Sequence, residues 1–206
     1  YYTPRAVTKF VVEMVDPQLG DKVLDPACGT GGFLIDSIEH IRRNQVTTPE
    51  DEKLLQTTIY GTEKKPLPHM LVMTNLILHG IEAPLNVRRG NSLATSVRDI
   101  TQKDRVDVVV TNPPFGGTEG RHIQANFPVQ ATATELLFLQ HIMKKLKPEN
   151  GSRCGMVVPE GTLFRGGAFA SVKQELLEQF NLHTIVSLPP RNFCPLLRCQ
   201  NSAHFL

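Results

Sequence analysis

A run of β-branched residues, Val106-Asp107-Val108-Val109-Val110, limits the folds open to this chain more than any other feature. Three consecutive valines suit a strand buried on both faces. Such strands belong to parallel sheets covered by helices on either side. The rest of the chain agrees. Residues 22–25, 58–62, 85–88, 154–158 and 183–188 read as further strands, and 32–43, 67–79, 134–147 and 168–180 as helices between them. At the start, Thr3 and Pro4 read as an N-cap and first-turn pair. They predict a helix with Val7, Phe10, Val11 and Met14 on one face. Strands alternating with helices predict an α/β fold, a mostly parallel Rossmann-like sheet with helices on both faces. In such sheets ligands bind at the carboxyl ends of the strands.

The chain has 206 residues, enough for one α/β domain with a full core and little else. No apolar run approaches the roughly 18 residues of a membrane span, and no signal-peptide pattern is present, so the cytoplasm is the default compartment. The first residue is not Met, which reads as a fragment of a longer protein. Cys28, Cys154, Cys194 and Cys199 lack metal-site spacing, so reduced thiols are expected and no metal site. Residues 1–120 carry 13 basic and 15 acidic side chains, and residues 121–206 carry 9 and 5. A protein that gripped nucleic acid tightly by itself would show a stronger basic stripe.

Two motifs sit where such a sheet binds ligands. The first is Asp25-Pro26-Ala27-Cys28-Gly29-Thr30-Gly31-Gly32-Phe33, between a strand and its helix. Glycines there allow a tight turn and a close approach of backbone to ligand. The helix N-terminus adds free N–H groups. Asp25 suits a cationic ammonium or a sulfonium-bearing ligand better than a phosphate. No Gly-Lys-Ser/Thr follows, which excludes a Walker A loop. Glu63 ends the second strand, where an acid accepts hydrogen bonds from ribose hydroxyls or caps the next helix. After the third strand, Asn91, Ser92 and Leu93 either read an adenine edge or form an ordinary turn.

The second motif is Thr111-Asn112-Pro113-Pro114-Phe115, at the end of the valine run. Two prolines stiffen the backbone and remove two N–H donors, leaving carbonyl oxygens as unopposed acceptors. The Asn112 side-chain oxygen and the Pro113 carbonyl can bind the two hydrogens of an exocyclic amino group. Such a group, conjugated to a ring, is a poor nucleophile. Two acceptors favour a pyramidal nitrogen whose lone pair points at a methyl donor, and Phe115 can stack on the ring. The mechanism rests on orientation and placed dipoles, with no covalent nucleophile. Residues 116–133, aperiodic and containing Gly116, Gly117 and Gly120, read as a long mobile loop beside the site, a lid or substrate clamp.

The order Tyr1-Tyr2-Thr3-Pro4-Arg5, Asp25 to Phe33, then Asn112 to Phe115 resembles the N6-adenine DNA methyltransferases. The closest resemblance is to the modification subunits of type I restriction–modification systems. Glu135-Leu136-Leu137-Phe138-Leu139-Gln140-His141, Val158-Pro159-Glu160-Gly161 and Leu163-Phe164-Arg165-Gly166-Gly167 share it, and it spans about residues 1–190. The resemblance implies an S-adenosylmethionine-dependent methyltransferase fold. It implies that Tyr1, Tyr2, Thr3, Pro4 and Arg5 contact the methionine part of the cofactor. Asp25, with Cys28, Gly29, Thr30, Gly31, Gly32 and Phe33, would hold its amino-acid end, Glu63 its ribose, and Asn91, Ser92 and Leu93 its adenine. Asn91 stands where the family more often has Asp. Asn112, Pro113, Pro114 and Phe115 would hold a target adenine flipped out of DNA. A specificity subunit would supply sequence recognition, with a second modification subunit and a nuclease subunit as further partners. The family's helical N-terminal domain and a target-recognition domain are absent from this stretch.

Two other readings remain at this stage. Asn-Pro-Pro-aromatic also serves methylation of protein glutamine or RNA adenine, and a cofactor-binding fragment with impaired turnover is the third. The last reading draws on the tail. From Arg191 to the end the family pattern stops, and Arg198, Gln200, Asn201 and His204 interrupt the apolar residues. Read one nucleotide later with permitted codons, the tail can encode the family's usual continuation. Two readings of the tail stand: simple divergence at the terminus, or a frameshift near Pro190–Arg191, which would leave the tail loosely packed and the sheet without its last strand pair.

Overall fold

In the computed structural model of the chain, residues 3–148, 151–188 and 196–201 are described, the last six by their backbone path alone. The chain divides into two compact units, one made of the residues up to Ser92 together with Val106–Asn112, the other of Leu93–Arg105 and the chain from Pro113 onward.

In the first unit the valine run forms a strand whose Val108, Val109 and Val110 are fully buried, as strand residues covered on both faces must be. Burying each such side chain stabilises by about 1.5–3 kcal/mol relative to exposure. The strands are β1 (Val23–Asp25), β2 (Ile59–Glu63), β3 (Val87–Arg89) and β4 (Val108–Thr111), in the order β3-β2-β1-β4, all parallel. Val23 lies opposite Ile59 on one side and Val108 on the other. Parallel alignment brings Asp25, Glu63, Arg89 and Thr111 to one edge.

The helices of this unit are α1 (Arg5–Val15), α2 (Gly32–Gln45), α3 (Pro49–Leu55) and α4 (Pro66–Leu78). The first differs from expectation in two ways. Its N-cap is Pro4, not Thr3, and no side chain caps it. Its buried face is Thr8, Val11, Val12 and Val15, while Phe10 stays exposed. Thr8 can be buried because its hydroxyl donates to the Arg5 carbonyl at 3.1 Å. Helix α3 was not foreseen. Its signal is nonetheless present: Thr48 caps it, Asp51 returns the capping-box bond, and Pro49 opens the first turn.

The second unit holds α5 (Arg121–Gln124), α6 (Thr134–Lys145), β5 (Arg153–Val157), α7 (Gly161–Phe164), α8 (Ala168–Gln179), β6 (Phe180–Val186) and β7 (Leu196–Asn201). Every residue of α6 from Thr134 to Met143 is buried. Residues 116–133 stay largely without regular structure, as their aperiodic sequence predicts, but they are anchored. Thr118 bridges Ala133, α5 interrupts the stretch, and Ile123 and Phe127 are buried. The Gln140 amide pairs with both the N–H and the carbonyl of Val129, at 3.0 and 2.9 Å. A side-chain amide and two buried apolar anchors thus replace the missing periodicity.

The tail also departs from expectation. Strand β7 lies antiparallel between β5 and β6, in the order β5-β7-β6. A strand between two neighbours satisfies its backbone on both sides, and that requirement is independent of side-chain pattern. The predicted loss of the last strand pair is therefore wrong. Residues 191–195 and 202–206, on which the rest of the frameshift reading falls, lie outside the described residues. No helix among the described residues is long and apolar enough to cross a membrane.

Candidate active site

The glycine-rich segment runs from the end of β1 to the start of α2. Asp25 closes β1 and is almost fully buried. Its Oδ1 accepts from the Ala27 N–H at 3.0 Å and from the Thr111 hydroxyl at 2.6 Å. Burial pushes its carboxyl up to about 7, and the two hydrogen bonds only partly oppose that rise. Thr111, buried at the end of β4, was not foreseen as part of the site. Nothing local marks it, because its partner lies 86 residues away in sequence.

After Asp25 the backbone turns twice through the left-handed region, at Gly29 (φ 54°) and Gly31 (φ 90°). Gly31 has no alternative, since a Cβ there would lie 2.6 Å from Val72 Cγ2. Its N–H donates to the Cys28 carbonyl at 2.8 Å, and the Asn75 amide of α4 holds the Thr30 carbonyl at 2.9 Å. Cys28 and Phe33 are buried, so their side chains support the loop from behind. Burial pushes the Cys28 thiol well up, keeping it protonated. Gly32 opens α2, and its carbonyl accepts from Arg5, whose guanidinium also pairs with Asp36 at 3.0 Å.

Glu63, at the end of β2, is engaged at both oxygens. Oε2 accepts from the Gly29 N–H at 3.0 Å and Oε1 from the Lys65 N–H at 2.7 Å. It therefore fastens the glycine turn to β2 and holds the backbone of Lys65, while α4 itself has no side-chain cap. The carbonyl of Glu63 holds the Gly90 N–H at 2.9 Å. At both Gly29 and Gly90 a Cβ would meet no atom within 4 Å, so the backbone floor beside Glu63 is uncovered at those two points. Half-buried Asn91 follows Gly90, and the Ser92 hydroxyl donates to the Pro26 carbonyl at 2.6 Å, tying the loop after β3 to the glycine segment. Leu93 begins the second unit and is fully buried.

Asn112 follows β4. Its Nδ2 donates to the Thr3 hydroxyl at 2.9 Å, while its Oδ1 is buried and has no hydrogen-bond partner among the described residues. A buried acceptor without a donor is rare in folded proteins and calls for a reason. Beyond it Pro113 is buried, Pro114 is exposed, and Phe115 is 38 % exposed. Thr3, Asp25, Gly29, Glu63, Ser92 and Asn112, well separated in sequence, are thus brought into one unit through Thr111 and the parallel strand ends. Tyr1 and Tyr2 lie outside the described residues.

Comparison with known proteins bears on this site. The N-6 DNA Methylase family model matches residues 1–199, nine residues past the boundary that the motifs suggested. The methylase subunit of the type I restriction enzyme EcoEI from Escherichia coli is 50 % identical over 197 residues, covering 95 % of this chain and 39 % of that protein. The chain thus spans about two-fifths of the length of that curated relative. Among solved structures, a chain of a type I restriction–modification system is 59 % identical with a TM-score of 0.92, covering 97 % of this chain and 42 % of that one. The EcoKI M protein is 30 % identical with a TM-score of 0.87, covering 99 % and 44 %. A Listeria monocytogenes protein assigned to the class I S-adenosylmethionine-dependent methyltransferases is 20 % identical with a TM-score of 0.75, covering 98 % and 60 %. The fold is the Rossmann-like fold of those enzymes.

Proposed function

The chain belongs to the N-6 DNA methylase family, and from that premise we propose that it is the catalytic core of a type I modification subunit, methylating adenine N6 in DNA. One observation carries the reading: the buried, unpartnered Oδ1 of Asn112. That oxygen lacks a donor, and the exocyclic amino group of a flipped adenine supplies one. The Pro113 carbonyl takes the second amino hydrogen and Phe115 stacks on the ring. Two acceptors on the amino hydrogens hold the nitrogen lone pair free for attack.

The uncovered backbone floor fits S-adenosylmethionine. Asp25, Cys28, Gly29, Thr30, Gly31, Gly32 and Phe33 would shape the pocket for its amino-acid end. Glu63 would face its ribose, and Asn91, Ser92 and Leu93 would flank its adenine. Tyr1, Tyr2, Thr3, Pro4 and Arg5 would close over its methionine part. Bound there, the cofactor supplies an electrophilic methyl group.

Residues 1–190 would make up the catalytic core. A specificity subunit would supply sequence recognition, which agrees with the slight charge bias of the chain. A second modification subunit and a nuclease subunit complete the assembly on this reading, and its DNA substrate puts it in the cytoplasm. The frame change near Pro190 remains a proposal that resequencing decides: a continuous frame that cannot encode the family stretch one nucleotide later removes it.

The test is methyl transfer by the assembled enzyme from tritiated cofactor to duplex DNA, to a release factor and to ribosomal RNA. Label in N6-methyladenine of DNA is expected. Label only in protein glutamine or RNA would replace this reading with a neighbouring one. Cofactor binding without transfer to any of them would make the chain a binding module.

A further inference from the structure

Thr3 stands in a segment expected to cap α1 and to touch the cofactor, yet the structure gives its hydroxyl a different partner. The cap is Pro4, and no side chain contributes to it. The Thr3 hydroxyl instead takes the Asn112 Nδ2 at 2.9 Å, across 109 residues of sequence. An asparagine amide has two unlike ends of nearly the same shape, and turning it over exchanges an acceptor for two donors. In the observed orientation the nitrogen faces Thr3 and the oxygen faces the buried position without a partner. Turned over, the amide would place its N–H groups there, against the amino hydrogens of the proposed substrate.

We propose that Thr3 is a positioning residue for methyl transfer, fixing the place of the Asn112 amide just beyond β4. A hydroxyl can pair with either end of an amide, and the nitrogen is the end it takes here. This rests on the reading of Asn112 as the substrate acceptor. Thr3 acts through Asn112 and forms no bond to the reacting atoms. Pro4 directly follows, and its carbonyl accepts from Val7 and Thr8 in the first turn of α1, at 2.9 and 3.1 Å. The start of α1 is thereby anchored while the Thr3 side chain reaches the end of β4.

Thr3→Val keeps the shape of the side chain and removes its oxygen, and Thr3→Ser keeps the oxygen. In the assembled enzyme, Thr3→Val should lower kcat on the order of tenfold, the worth of one hydrogen bond. Because Thr3 also lies in the segment proposed to close over the cofactor, kcat is read at saturating cofactor, where the loss should persist, and Thr3→Ser should recover most of the rate. An independent readout needs no turnover. In the nitrogen-15 spectrum of this chain, the Asn112 side-chain amide pair, identified by its loss in Asn112→Ala, should shift in Thr3→Val and return in Thr3→Ser. An unchanged kcat together with an unchanged amide signal would overturn the proposal. A loss of rate that disappears at saturating cofactor would overturn it too, leaving Thr3 a cofactor contact alone. Absence of transfer to adenine by the wild-type enzyme would instead remove the functional reading, and the amide signal would still decide whether Thr3 holds Asn112.

Discussion

The acids at the ends of β1 and β2 and the amide just beyond β4 belong to one unit, and their hydrogen bonding is opposite. Asp25 Oδ1 takes two donors, and each oxygen of Glu63 takes a backbone N–H. Asn112 Oδ1 takes none among the described residues. Asp25 Oδ1 and Glu63 thus spend their acceptors on the turn itself, whereas the Asn112 region keeps an acceptor in reserve. On the proposed reading, the difference separates groups that build a binding surface from a group placed where a substrate hydrogen must arrive. A reacting contact cannot be saturated beforehand, while a scaffold contact must be.

The sharpest test removes the reserved acceptor. Asn112→Ala should lower methyl transfer by roughly 10²–10³-fold, the usual cost of losing a placed polar group at a reacting centre. Cofactor affinity should barely change. Near-normal turnover in radiolabel transfer would erase the contrast between the two regions.

Next comes the buried acid. Its folded-state carboxyl titrates near 7, above an ordinary value of 3.8, so folding favours the protonated form. Stability from this group is full below pH 3.8 and is lost as pH rises through about 7. At about 1.4 kcal/mol per pKa unit, ionising it in the folded chain costs a few kcal/mol. Denaturation midpoints at pH 5 and pH 8 should therefore diverge in the wild type and draw together in Asp25→Asn. Equal pH dependence in both proteins would show that Asp25 is not held in this environment.

A smaller effect is expected at Glu63. Glu63→Ala frees the Gly29 and Lys65 N–H groups and removes a charge from the open floor. Charge-assisted hydrogen bonds are worth about 1.5–3 kcal/mol, so cofactor affinity by calorimetry should fall by roughly ten- to a hundredfold. A variant that binds like wild type would leave Glu63 as a loop fastener alone.

The mildest change belongs to Phe115, whose ring is partly exposed. Phe115→Ala should weaken capture of the flipped base by about 1–3 kcal/mol. The loss should appear in KM for DNA and not in cofactor Kd. A loss confined to cofactor binding would put the ring in the wrong site.

The sequence alone carried most of the elements and both motifs. Valines at 108–110, glycines at 29 and 31, and prolines at 113 and 114 act through backbone dihedrals and burial on both faces, which are local properties. Strand and helix alternation then left few topologies to consider. What went astray depended on neighbours. The buried face of α1 shifted by one position because Thr8 could satisfy its own hydroxyl. Residues 116–133 are anchored by Ile123, Phe127 and the Gln140 amide. Residues 196–201 became a strand because two others flank them.

Most of the site's chemistry was decided only by tertiary structure. The Thr111 hydroxyl meets Asp25 across 86 residues, and the Thr3 hydroxyl meets Asn112 across 109. Sequence determines which donors and acceptors a chain possesses. The fold decides which of them are used against one another and which, Asn112 Oδ1 among them, stay without a partner among the described residues, because hydrogen bonding depends on distance in space and not along the chain.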